Sequence, residues 1–317
     1  MLTRSLYSKA RQRRTLIHVL LVTALCYLPA YPVLSKGHTS LPGSRFIQRD
    51  IADRILRLPL YSQQTDTATK RSYNLWNDTR DMGRHFVSDA THVYSSPARL
   101  NGNTVVLVGG LVGLGAVIYV YDQEIYDAFQ RSKNDRLYKP IRKLGERFER
   151  LGYMGTSNKF MAGGLLFSYL VHWDKGVSIC SDVLESHFIA GGVKNFANLV
   201  AGRARPYEGF GPRHFQWNEG TSFPSGHASN IVQMASVFTH HINYLPFTVG
   251  AYTIAGAVSL ERITSSGHWP SDVYFAIVYG WVVSKEILRL NEDRRIRTVP
   301  VIDSERGTVG LAISIRL

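Results

Sequence analysis

The sequence predicts an all-α protein, a helical bundle that ends in a short C-terminal β-hairpin. Apolar residues between positions 104 and 291 recur with a period near 3.6, which is the period of helix faces. Two segments begin with helix-start signals, a serine at position 225 and a proline at position 270. After residue 308 the period becomes two, which is typical of a strand, because apolar residues alternate with small or polar ones: Val309, Leu311, Ile313, Ile315 and Leu317.

The first 30 residues have the pattern of a signal peptide or signal anchor. Residues 1–14 hold five basic side chains and no acidic one, and the apolar run 16–28 follows directly. Because about 20 residues are needed to span a bilayer, this run is short and the sequence favours cleavage. Cys180 is then the only cysteine of the processed chain, and export without a disulfide is typical of a bacterial cell envelope.

Three further regions follow the N-terminal segment. Residues 31–100 are polar and predict loops and short helices, residues 101–295 predict a helical domain, and residues 296–317 predict the hairpin. Residues 104–121 carry no charge and are the best candidate for a membrane span, with glycines that permit close helix packing: Gly109, Gly110, Gly113 and Gly115. The mean hydropathy of −0.10 is low for a protein with six spans, so we expect a membrane-associated protein with short or partial spans.

The net charge of +13 favours anionic partners, which are phosphates, anionic lipids or nucleic acids. No nucleic-acid-binding module with its expected spacing is visible, so we expect no nucleic-acid partner. A surplus of Lys and Arg that only solvates the surface remains an equal alternative.

The tetrapeptide Pro224-Ser225-Gly226-His227 predicts an anion site at the start of a helix. Ser225 is a suitable N-cap, and Gly226 lets the backbone approach an ion that the free N–H groups of the first turn can bind. His227 would then lie where it can protonate a leaving oxygen. An ordinary helix start remains the alternative for this segment taken alone.

A second group of residues, Arg262, His268 and Asp272, predicts a nucleophilic imidazole. Asp272 lies one helical turn after His268, so we expect it to accept the Nδ1–H and to leave Nε2 free to attack phosphorus. Arg262 would neutralise the oxygens as charge builds. An exposed histidine near an acidic helix start is the alternative.

Together with Gly202-Arg203-Ala204-Arg205-Pro206, these groups resemble the type 2 phosphatidic acid phosphatase (PAP2) superfamily, in its lipid-phosphatase-like branch. The superfamily also contains bacterial class A acid phosphatases and vanadium haloperoxidases, and the resemblance covers roughly residues 160–290. Its first motif is Lys, six residues, Arg and Pro, but the lysine position here is Asn198, with Lys194 one turn earlier. Glu261 is a second departure, because the family usually has Ser before the arginine.

The resemblance implies a two-step phosphoryl transfer without a metal or other cofactor. His268 would form a phosphohistidine, and His227 would act first as acid and then as base. The residues implied to hold the phosphate oxygens are Arg205, Arg262, Ser225, the Gly226 amide and either Lys194 or Asn198. A phospholipid or a polyprenyl phosphate is the implied substrate, and a membrane is the implied partner, with the site on the periplasmic side of a bacterial envelope.

Other functions remain open at this stage. They are a soluble periplasmic acid phosphatase of broad specificity, a vanadium-dependent haloperoxidase, and a non-catalytic envelope protein that binds phospholipid. The last is motivated by Asn198 and by the terminal hairpin. The sequence leaves the oligomeric state open.

Overall fold

The computed structural model describes residues 73, 75–303 and 308–315. The expected signal segment 1–30, most of the polar region 31–100 and the turn of the expected hairpin lie outside the described residues.

In the described part the chain folds into a bundle of α-helices, which confirms the predicted all-α class. Two short 3₁₀ helices, Ser96–Arg99 and Pro206–Glu208, lie in the connections. The α-helices are α1 (Leu75–Tyr94), α2 (Gly102–Val120), α3 (Asp122–Ser132), α4 (Lys139–Gly152), α5 (Met154–Leu170), α6 (Asp174–Ala201), α7 (Gly226–Ile242), α8 (Leu245–Thr264) and α9 (Pro270–Arg295).

Near the C-terminus two strands pair antiparallel, β1 (Ile296–Asp303) and β2 (Thr308–Ile315), with Ile296 opposite Ile315. The fold class depends on the helices alone, and the hairpin stays a prediction.

Helix α7 is the centre of the bundle. It packs against α4, α6, α8 and α9, and every residue from Ala228 to Val237 is buried because neighbouring helices cover it on several sides. Ala228 and Val232 of α7 share one apolar cluster with Val258 of α8 and Ala276 of α9. The N-terminal ends of α7 and α9 therefore lie side by side, and the Ser225 N–H donates to the carbonyl of Asp272 at 3.2 Å.

Helix α2 is apolar around its whole circumference and exposes most of its side chains. It is the one described helix that is long and apolar enough to cross a membrane. Of its glycines, Gly115 permits close packing, because a Cβ there would lie 2.3 Å from the Phe275 ring of α9. Gly109, Gly110 and Gly113 have open space instead.

Helix α1 has 20 residues and lies where the sequence predicts loops and short helices. Its inner face explains the difference. Val93 packs against Ile189 and Ile287, and the buried Asp89 accepts two hydrogen bonds from Arg294, the first at 2.6 Å. This docking stabilises a helix that is polar along most of its length.

Candidate active site

The end of α6 turns the first group of site residues toward the ends of α7 and α9. Gly202 ends the helix in the left-handed region, at φ 53°, and a Cβ there would lie 1.8 Å from the Gln216 carbonyl oxygen. Only glycine fits such a position. The following residues diverge, so that Arg203 is buried while Arg205 is half-buried and reaches Thr221 Oγ1 at 3.2 Å.

The start of α7 supplies the second group. Ser225 precedes the helix with extended backbone, and its Oγ accepts from the Ala228 N–H at 3.5 Å, as the sequence predicts for an N-cap. A Cβ on Gly226 would lie 3.2 Å from Lys194 Cε, so glycine lets the lysine lie against the helix start. The half-buried His227 follows, and its ring centroid is 5.9 Å from that of Tyr153.

His268 is buried, and its Nδ1 is 2.7 Å from the Ser222 carbonyl oxygen. A carbonyl only accepts hydrogen bonds, so Nδ1 carries the proton and Nε2 keeps its lone pair. The expected contact with Asp272 is wrong. That carboxylate accepts from the Trp269 N–H at 3.0 Å and from the Ser222 hydroxyl, because it caps the first turn of its own helix. Asp272 therefore acts on His268 through Ser222.

Cationic side chains lie near both histidines. Burial, the largest cause, and the positive charges of Arg262, Arg205 and Lys194 together lower the pKa of His227 to about 4. Burial also lowers the pKa of His268 well below its usual range, with Arg205 as the next cause. Arg205 and Arg262 act electrostatically on both histidines, and Lys194 acts on His227. Both imidazoles are therefore neutral when the site is empty.

Lys194 and Asn198 act as a pair. With its amide oriented to satisfy both groups, Asn198 accepts from Lys194 Nζ at 2.8 Å and donates to the Phe223 carbonyl at 2.5 Å. Lys194 also lies against Gly226, and its pKa is lowered by burial and by the charge of Arg205. Lys194 thus brings an ammonium group to the site from one turn earlier, and Asn198 orients it.

Arg262 is held by two carboxylates. Its Nη2 is 2.6 Å from Glu149 Oε2, and its Nε donates to the adjacent Glu261. Glu261 is buried, and this burial raises its pKa despite the opposing effect of Arg262. The residue that departs from the family pattern is thus a direct partner of a predicted phosphate-binding arginine, and it fixes the direction of the guanidinium.

A buried network beneath His268 was missed by sequence reasoning. Arg203 donates to Asp122 Oδ2 at 2.6 Å and to Asp272 at 2.5 Å, and all three side chains are at most 1% exposed. Asp122 also accepts from the Ser271 N–H at 2.8 Å and so caps α9. A carboxylate directly after the uncharged run 104–121 is the signal that could have found it.

In the described part of the chain, no group of three or more His, Cys, Asp or Glu side chains is arranged to hold a metal ion.

A comparison with known protein families gave a match over part of the chain. Residues 180–296, which include α6 to α9 almost completely, match the model of the PAP2 superfamily, and the match confirms the resemblance found in the motifs. Members of this superfamily are generally phosphatases, so the match indicates phosphatase or phosphoesterase activity on a phosphorylated substrate. No curated protein and no solved structure gave a significant match.

Proposed function

From the membership of residues 180–296 in the PAP2 superfamily, we propose that the protein is a phosphatase that hydrolyses a lipid phosphate or pyrophosphate through a phosphohistidine. The reaction would need no metal. One observation carries the proposal, namely that His268 donates through Nδ1 to a backbone carbonyl and keeps a free Nε2 in a site with three cationic side chains.

In the first step Nε2 of His268 attacks phosphorus, and the bond from phosphorus to the leaving oxygen breaks. Protonated His227 gives its proton to that oxygen, while Arg205, Arg262 and Lys194 stabilise the charge on the other phosphate oxygens. In the second step neutral His227 takes a proton from water, the hydroxide attacks phosphorus, and the phosphorus–nitrogen bond breaks to release phosphate. The phosphate charge offsets the surrounding cations and so favours the protonated His227 that the first step requires.

A lipid substrate is supported by the apolar surfaces near the site. The loop that follows Arg205 exposes Tyr207, Phe210 and Trp217, each by more than 60%. Tyr119, near the end of the apolar helix α2, contacts the same loop through Phe215, with ring centroids 6.2 Å apart. Exposed aromatic rings beside an apolar helix favour a lipid environment over a soluble substrate, which argues against a soluble acid phosphatase.

We further propose that the protein is membrane-associated in a bacterial cell envelope with the site on the periplasmic side. The support is the basic N-terminal segment followed by an apolar run, and the apolar surface of α2.

The test is phosphate release from lipid phosphates in neutral detergent with EDTA present, on a panel that includes phosphatidic acid and a polyprenyl pyrophosphate. We expect His268→Ala to lower turnover by about 10³-fold or more, since it removes the nucleophile. The matched control is His85→Ala, which changes an exposed histidine of α1 and should retain activity. Equal melting temperatures would show that both variants are folded.

Radiolabelled substrate should leave an acid-labile, base-stable phosphoryl group on the wild type but not on His268→Ala. Release that depends on Mg²⁺ would contradict the mechanism. Wild-type turnover equal to that of His268→Ala would indicate a non-catalytic protein. Halide oxidation by the wild type with added vanadate and peroxide would indicate a haloperoxidase.

A further inference from the structure

Helix α4 carries a row of exposed basic side chains, the basic stripe, which consists of Lys139, Lys143, Arg147 and Arg150. Their spacings of four, four and three residues place them on one face of the helix. The opposite face carries Ile141, Phe148 and Leu151, which pack against the main apolar cluster. The helix is therefore fixed to the bundle with its basic face toward solvent.

The acidic residues of α4 are engaged by other side chains. Glu146 pairs with Arg142, and Glu149 pairs with Arg262 of the candidate site. The segment 131–150 contains eight basic and three acidic residues, so it carries an excess of positive charge over a short length. Such an excess on one face attracts a polyanionic surface rather than a single small anion.

The position of the stripe indicates that this polyanionic surface is a lipid bilayer. Asp122 directly follows the exposed apolar helix α2 and bonds to Ser271 at the start of α9, so this end of α2 lies level with the site. Only helix α3 separates the end of α2 from the basic stripe along the chain. Whether α2 crosses a bilayer or lies along it, the basic residues that follow belong near the headgroups.

An aromatic residue connects the stripe to the site. Tyr153 comes directly after α4, is 58% exposed, and has its ring centroid 5.9 Å from that of His227. Tyrosine is enriched at the boundary between lipid and water, because its ring is apolar and its hydroxyl is polar.

We propose that the basic stripe binds the surface of an anionic lipid bilayer and holds the mouth of the site against the headgroups. The stripe lies outside the family match and outside the catalytic residues, so this binding does not depend on the proposed phosphatase reaction.

The test uses the full chain in micelles of a neutral detergent, with phosphatidylglycerol or phosphatidylcholine as the probe and native mass spectrometry to count bound lipid. Phosphatidylglycerol is a phosphodiester and is not a substrate of a phosphomonoesterase, and saturating orthovanadate keeps the catalytic site filled. The stripe variant is Lys143→Gln, Arg147→Gln and Arg150→Gln. The control variant removes the same charge from exposed residues of α1 and α6, as Arg80→Gln, Arg84→Gln and Lys175→Gln.

A basic side chain near an anionic surface contributes roughly fivefold to binding. We therefore expect the stripe variant to bind phosphatidylglycerol at least about tenfold more weakly than wild type, and the control variant to stay within about twofold. Binding by the wild type should also weaken as salt increases, and His268→Ala should bind as tightly as wild type.

Equal losses in the two variants would overturn the proposal, and so would a wild type that does not distinguish the two lipids. Tighter binding of a single-stranded oligonucleotide than of phosphatidylglycerol under the same conditions would overturn it in favour of a nucleic-acid partner. Because lipid binding and phosphate release are measured separately, a failed lipid result leaves the proposed reaction standing, and the reverse also holds.

Discussion

At the scale of single residues, we propose that Lys194, one turn earlier, compensates for the replacement of the family lysine by Asn198. The ammonium of Lys194 reaches the start of α7 because Gly226 has no Cβ, and the Asn198 amide holds it there. The positive charge is retained although its position in the sequence has moved. Asn198 is thus a positioning residue, and Lys194 is the candidate phosphate ligand.

This arrangement predicts the effects of two substitutions on vanadate inhibition. Lys194→Gln should weaken inhibition by about tenfold or more, because a charge-assisted hydrogen bond is lost. Asn198→Lys should not tighten it, because the new ammonium would repel Lys194 and could not accept its hydrogen bond. Inhibition constants measured in parallel with melting temperatures test both variants. Tighter inhibition of Asn198→Lys would show that Lys194 does not fill the role.

The electrostatics of His227 predict a pH dependence for anion binding. Its pKa is about 4 in the empty site, and a bound dianion raises it, so binding takes up a proton above pH 4. Sulfate is a suitable probe because it stays a dianion from pH 4.5 to 7. Its affinity should fall as pH rises, by up to about tenfold per unit, until the pKa of the complex is passed.

His227→Gln is the matched variant, because glutamine does not titrate, and it should flatten the profile measured by calorimetry. A pH-independent sulfate affinity of the wild type would contradict the electrostatic account of the site.

Sequence reasoning identified the candidate phosphate-binding residues better than the residues that position them. Ser225, Gly226 and His227 were predictable because a cap, a glycine and an imidazole at a helix start have local signatures. The partner of His268 was not predictable, because a backbone carbonyl looks the same in every sequence. It comes from Ser222, 46 residues away, and only the packed loop brings it there.

At the scale of helices, the site is built where the starts of α7 and α9 meet. Asp122, at the start of α3, holds Arg203 and the first turn of α9, and Arg203 in turn holds Asp272. Burial outweighs the opposing charge of Arg203, and the pKa of Asp272 is raised to about 6. A helix outside the family match thereby fixes the turn that carries His268.

Asp122→Asn should therefore lower both stability and turnover. Removing one partner of a buried ion pair costs about 3–5 kcal/mol, because the other charge is left uncompensated. We expect a fall of several degrees or more in the melting temperature and a loss in kcat that exceeds any change in KM. Glu124→Gln is the control, since this exposed carboxylate belongs to the same helix.

A variant that melts early but keeps its kcat at low temperature would show that Asp122 serves stability alone. The role of Asp122 could not be predicted from the sequence, because its partners Arg203 and Ser271 are 81 and 149 residues away.

At the scale of the whole molecule, charge and apolar surface meet around the site. Three surfaces lie near the same end of the bundle, although they belong to different elements. They are the aromatic loop after Arg205, the apolar helix α2 and the basic stripe on α4. Periodicity predicted the helices, and the uncharged run 104–121 predicted the apolar one. The common end was not predictable, because it depends on how the helices cross.

These surfaces constrain the topology. The basic residues 1–14 favour a cytoplasmic N-terminus, and the apolar run 16–28 would carry the following chain to the periplasm. If α2 then crossed the bilayer, it would return the site to the cytoplasm. The proposed periplasmic site therefore requires that α2 lies against the bilayer without crossing it.

Single cysteines on the two sides of α2 test this requirement, in a chain in which Cys26 is changed to Ser and the buried Cys180 remains. Ala98 and Gln123 are exposed positions before and after the helix. In spheroplasts, a membrane-impermeant maleimide should label both Ala98→Cys and Gln123→Cys, and the parent chain should stay unlabelled because Cys180 is inaccessible. Labelling of Ala98→Cys alone would make α2 a true span and would place the catalytic site in the cytoplasm. The excess of basic residues after α2 would then be explained by the positive-inside rule.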